Sequence, residues 1–186
     1  MARTADTGNP IAGQAKKEAD AYRGGAARPL SGYVVVLAVY GVLVSAAAAL
    51  AAATGRKLPA RWAADDLVTA ALGTHKLSRT LSKDSVTSPL RAPFTRYTGP
   101  GGPAEVMEEV RHTSPLRHSL GELLTCPFCL DMWVLTAFVI GLVFAPRPTR
   151  LIAGGFAALT GADFLQLGYA RVQQATEESA EKSMEN

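Results

Sequence analysis

The chain of 186 residues has only two cysteines and three histidines. The cysteines stand three apart in TCPFC, so by themselves they supply half of a tetrahedral zinc site. The histidines include no HExxH, and there is no serine-centred nucleophile elbow. GPGGP, residues 99–103, lacks the Gly-Lys-Ser/Thr ending of a phosphate loop. No internal repeat of the kind many transporters carry is visible. These absences remove the common hydrolase, zinc-protease and nucleotide-binding readings. Charge is also modest, at a formal net +3. The basic residues fall mainly outside three strongly apolar runs, a clustering that the mean hydropathy of +0.10 conceals. A soluble nucleic-acid binder would spread its apolar residues periodically, so no nucleic-acid partner is expected.

The apolar runs are what the chain does have. Tyr33 to Ala53, YVVVLAVYGVLVSAAAALAAA, holds 21 residues and no charge. At 1.5 Å per residue it covers the roughly 30 Å hydrocarbon core of a bilayer. It is too long and starts too late for the apolar part of a cleaved signal, although its closing AAA resembles a cleavage site. The second run, about Leu123 to Ala145, carries one charge, Asp131, and ends at Pro146. The third, Leu151 to Tyr169, carries Asp163. Only PRPTR separates these two, which predicts an antiparallel hairpin. Gly154, Gly155, Ala158, Gly161 and Ala162 predict a face of the last helix where another backbone approaches closely.

The reading is therefore an all-α, multi-pass membrane protein, with spans at about 33–53, 123–145 and 151–169 and one further helix at about 65–81. In that helix Leu67, Val68, Ala71, Leu72, Leu77 and Leu81 share one side. Asp66, Thr69, Gly73, Lys76, Arg79 and Thr80 take the other. Lys76 and Arg79 make it too polar to count as a span by composition, so it is an interfacial amphipathic helix or a fourth member of the bundle. Residues 1–32 are expected to be a disordered polar leader with one short helix around AKKEADAYR. The membrane domain covers 33–171, with 82–122 as a Pro/Gly-rich basic loop, and 172–186 form a polar, mainly acidic tail.

Basic residues orient the chain. With three crossings, the segment from Thr54 to Thr125 and the tail share the more basic side. With four, the N-terminus, the Ser82 to Thr125 loop and the tail share it. The two threadings disagree about the N-terminus. Both place the CPFC end of its helix, and the C-terminus, in the cytoplasm.

Cys126 and Cys129 open the second span and have three readings. As a redox dithiol, Pro127 in the first turn would put Cys126 at the N-cap, where the positive helix end lowers a thiol pKa. No βαβ pattern surrounds the pair, and Asp131 opposes thiolate formation. As a metal site, His112 and His118 would add to the cysteines as H-x5-H-x7-C-x2-C, a spacing that matches no common zinc module. As packing, cysteine is a small apolar residue suited to a helix start. Reducing cytoplasmic conditions argue against a permanent disulfide. Asp163, at membrane depth, needs a partner, for which His75, Lys76 and Arg79 are the candidates. Arg79, Arg91 and Arg96, the last two alternating with Phe94 and Tyr97, are candidate headgroup contacts.

THKLSRTLSKDSVTSPLRAPFTRY, GELLTCPFCLDMWV and ADFLQ together resemble the bacterial membrane proteins grouped as domain-of-unknown-function family 1360. The likeness covers about Asp65 to Arg171, and its most specific element is CPFC with the aromatic Trp133 after it. In that family a small residue, often Gly, stands where this chain has Asp131. The resemblance implies a small protein of the bacterial inner membrane and brings no activity or cofactor. It singles out Asp84, Arg91, Arg96 and the cysteine pair for testing. The function expected is a non-enzymatic membrane scaffold or accessory subunit, with the bilayer and a second copy or another membrane protein as partners. The alternatives are a dithiol redox or metal-binding protein, and an oligomeric transport component with Asp163 on its path.

Overall fold

A computed structural model describes residues 10–26 and 28–184; part of the leader and the last two residues of the tail lie outside them. Helix α1, Pro10–Arg23, contains the AKKEADAYR segment. Helix α2, Leu30–Ala53, is the first apolar run. Helix α3, Ala64–Lys83, opens with Asp65 and Asp66 at its positive end. A 3-10 turn, Ser85–Thr87, and the short α4, Ser88–Arg91, lead into strands β1, Thr95–Pro100, and β2, Val106–Val110. Helices α5, Pro115–Thr125, α6, Pro127–Phe144, and α7, Pro146–Met184, follow.

The expected hairpin of the last two spans is tighter than PRPTR suggested. Ala145 alone separates α6 from α7, and PRPTR forms the first turn of α7. Proline is tolerated there because the first amides of a helix have no intrahelical acceptor. The α7 helix then runs 39 residues through the apolar run and on through the polar tail.

Among the described residues three helices are long and apolar enough to cross a membrane: α2, α6 and α7. The fourth, α3, lies along them for its whole length. Moving along α3, Asp66 pairs with Arg150, the Thr160 hydroxyl donates to the Leu72 carbonyl at 2.8 Å, and Lys76 pairs with Asp163. Residue numbers rise together, so α3 and α7 run parallel. Against α6 the order reverses: Asp66 and Ala70 lie near Phe138 and Leu142, whereas Ser78 meets Asp131. Helix α2 runs parallel to α6, with Tyr40 bonded to Thr136 at 2.8 Å and Arg56 over the Phe144 ring. The four form an up-down-up-down bundle.

Of the two alternatives for α3, the structure has the helix packed into the bundle, with a small and polar face inward. Its buried residues are Ala70, Gly73, Thr74, Ser78 and Ser82, while Leu67, Val68 and Leu72 face outward. Leu77 and Leu81 alone of its leucines pack toward the small cluster of Val134, Phe138 and Ala153. Close backbone approach comes from Gly73, where a Cβ would stand 2.7 Å from the Ala153 carbonyl oxygen. Of the glycines expected to supply it, Gly154 lies against Thr69 of α3, whereas Gly155 and Gly161 face open space. Small residues set helix spacing where lipid removes the hydrophobic drive between helices.

Residues 82–122, expected as a loop, are a folded cap at the end of α3. Strands β1 and β2 pair antiparallel from Thr95 opposite Val110 to Pro100 opposite Val106. The connecting turn closes with the Gly101 amide donating to Glu105 and the Glu105 amide donating to Gly102. Ala104 takes a left-handed φ of 62° there. The cap is seated on the bundle by α5, which packs on α2. A Cβ on Gly32 would collide with the Pro115 carbonyl of α5.

Candidate functional site

The cap meets the bundle around Arg91. Its side chain is 0% exposed. The guanidinium donates to Glu108 at 2.5 Å, to the Leu81 carbonyl at 2.8 Å, to the Thr87 hydroxyl at 2.7 Å and to the Asp84 carbonyl at 2.9 Å. This corrects the expectation that Arg91 contacts lipid headgroups. It is the internal pin between the last turn of α3, α4 and strand β2. Arg79 makes a second tie, bidentate to Glu105 at 2.6 and 3.0 Å. Arg96 pairs across the hairpin with Glu109 at 2.7 Å, and both side chains stay largely exposed. Of the three basic candidates, Arg96 is the most open to solvent.

The CPFC segment begins α6 as the proline position requires. Cys126 is the N-cap, Pro127 occupies the first turn, and the Cys129 amide donates to the Cys126 sulfur at 3.2 Å. The two sulfurs are joined as a disulfide, with the Cα atoms 5.2 Å apart. The sequence argued against a permanent disulfide and left the redox, metal and packing readings open. One helical turn brings the pair within bonding reach, which the argument from compartment left aside. Phe128 between them is 85% exposed. Asp131 accepts a hydrogen bond from Ser78, which couples the first turns of α6 to α3. The carboxylate also sits near the positive end of α6, where its charge is favoured.

Asp163 finds the partner its depth demanded: Lys76, at 2.8 Å. Asp66 and Arg150 form a bidentate pair, at 2.7 and 2.8 Å, where α3 begins and α6 hands over to α7.

The histidines and cysteines part company. His112 and His118 approach each other with Nδ1 atoms 3.2 Å apart and rings edge to face. His118 is buried, and its Nε2 lies 3.3 Å from Glu122. Glu122 is also held by the Tyr33 hydroxyl and by Arg28 at 3.2 Å. Among the described residues no group of three or more His, Cys, Asp or Glu side chains is arranged to hold a metal. A groove of about 360 Å³ beside this pair is lined by Arg96, Glu109, Val110, Arg111, His112 and Thr113.

Sequence reasoning missed Ser78, Glu105, Glu108, Glu122 and Tyr33. The only available signal was the alternation in VMEEV, which places Glu108 and Glu109 on opposite faces of a strand. Nothing in the sequence pairs Glu108 with Arg91 or Glu122 with Tyr33.

Residues 69–169 match the family described as a protein of unknown function, DUF1360. No curated protein and no solved structure matches the chain.

Proposed function

The chain belongs to the DUF1360 family, and since that membership brings no activity with it, we propose that the protein is a four-crossing membrane scaffold that holds the cap of residues 84–125 at one membrane surface. The observation that carries this is the inverted α3. Its leucines and valine at 67, 68 and 72 point outward, and its small and polar residues point at α6 and α7. In water that arrangement would cost apolar burial; in lipid it is the favourable one. Its 20 residues reach about 30 Å, enough to cross. Its interior charges are both paired, Lys76 with Asp163 and Arg79 with Glu105. The more basic side, with Lys16, Lys17, Arg23 and Arg28 ahead of α2 and Arg91, Arg96, Arg111 and Arg117 in the cap, supports a cytoplasmic cap. The inner membrane of a bacterium is the setting we infer, with a second copy or another membrane protein as the scaffold's partner.

Single cysteines at Leu58 and at Tyr97, in a chain with Cys126 and Cys129 changed to serine, test the threading. A membrane-impermeant maleimide applied to intact cells should label the Leu58 position and spare the Tyr97 position. Labelling of both, or of neither until the membrane is opened, would place the two ends of α3 on one side and defeat the proposal.

One observation favours a second reading, a reversible dithiol–disulfide couple. The disulfide sits at the N-terminus of α6, on the side assigned to the cytoplasm, where disulfides are usually transient. Quenching cells in acid and labelling thiols with and without reductant measures the oxidised fraction. A pair found as free thiols under every growth condition would end this reading and leave the first intact.

A further inference from the structure

On the reading that the cap lies at a membrane surface, we propose that the groove beside Arg111 binds the phosphate of an anionic phospholipid headgroup. Arg111 is exposed, yet its guanidinium is fixed, because Nε donates to the Thr95 carbonyl at 2.7 Å. Its two terminal nitrogens have no partner among the described residues. That leaves a pre-set fork of donors, the arrangement that takes phosphate oxygens two at a time. Arg96 lines the same groove of about 360 Å³. It holds Glu109, the one carboxylate among the lining residues, at 2.7 Å. The Thr113 hydroxyl adds a further donor. Two guanidinium groups against one carboxylate keep the groove positive, so an anion is favoured there.

The groove's position selects lipid over a soluble phosphate. Pro115 of α5 lies against Gly32 of α2, where a Cβ would meet its carbonyl. Gly32 directly precedes the uncharged run that begins at Tyr33, so this contact marks the membrane boundary whether or not α3 crosses. Thr113 is two residues from Pro115, at most about 7 Å of chain. The headgroup layer is roughly 5–8 Å deep on each side of the hydrocarbon. The groove therefore opens at the depth of the lipid phosphates. Leu116, next to Pro115, is 43% exposed and offers the acyl chains an apolar contact.

The test titrates the full chain, in a neutral detergent, with dioctanoyl phosphatidylglycerol and separately with dioctanoyl phosphatidylcholine, counting bound lipid by native mass spectrometry. Phosphatidylglycerol should bind about tenfold more tightly than phosphatidylcholine, and less tightly as salt is raised. Arg111→Gln should weaken binding about fivefold, and Arg96→Gln with Arg111→Gln roughly 25-fold. Arg147→Gln, an exposed arginine at the far end of the bundle, should bind as the parent does. Glu109→Gln removes the opposing carboxylate and frees Arg96, so it should tighten binding, a gain that misfolding cannot imitate. Equal binding of the two lipids, or no change in either the double arginine variant or Glu109→Gln, would overturn the proposal. Glycerol phosphate bound as tightly as the lipid would overturn it too, by making the groove a site for soluble phosphate. Each of these failures leaves the threading of α3 untouched, because binding in a micelle does not read sidedness.

Discussion

Arg91 shows what a residue's surroundings do to its meaning. A guanidinium with no exposure and a carboxylate partner 6% exposed is stable only if its donors are occupied, and here they are. Arg91→Met would leave Glu108 buried without its counter-charge. We expect a loss of about 3–5 kcal/mol in cap stability, read as protease sensitivity between β1 and β2. The double variant with Glu108→Leu should recover most of it; a single variant that resists protease as well as the parent would show the pin to be dispensable. Thr74 and Ser78 make a second contrast, one turn apart on the same face. The Thr74 hydroxyl is buried without a hydrogen-bond partner, whereas Ser78 bonds Asp131. Thr74→Val should therefore leave the melting temperature unchanged or raise it, and Ser78→Ala should lower it, by about 1–3 kcal/mol in stability.

Among the elements, α3 carries the most information. Its contact with α7 depends on Gly73 lying against Ala153, and a larger side chain must push the helices apart. Gly73→Val should cost about 1–3 kcal/mol, seen as a lower melting temperature in detergent. Gly155→Val, on a face with nothing within 4 Å, should be near neutral and serves as the control. The Lys76–Asp163 pair separates structure from transport. Asp163→Asn strands the lysine and should destabilise the bundle. Joint replacement by Lys76→Met and Asp163→Leu should restore it, since an apolar pair leaves no charge in the bundle without a partner. A double variant that melted no higher than Asp163→Asn would contradict a purely structural pair.

At the scale of the whole molecule, four helices of alternating direction put the start of α2 and the end of α7 on one face. Reporter fusions at the N-terminus and at the C-terminus should therefore give the same sidedness, the cytoplasmic one. Opposite signals would require three crossings, with α3 lying outside the bilayer. The same geometry gathers the cap and the distal half of α7 at one end of the bundle.

Much of this was legible from the chain itself. A stretch as long and uncharged as Tyr33 to Ala53 has one low-energy setting, and its length alone matches a bilayer. Pro127 and Cys126 fixed the start of α6, because a proline suits the first turn and the residue before it is pushed out of helical geometry. The need of Asp163 for a basic partner followed from the cost of charge in lipid, and Lys76 was among the three named. The face of α3 that turns inward was a different matter. Periodicity shows that two faces differ but not which one turns inward; the packing of α3 on α6 and α7 decided that. Glu108 under Arg91 and His112 against His118 were likewise settled only by the fold. Those partners sit on different elements, and no local rule of spacing reaches from one to the other.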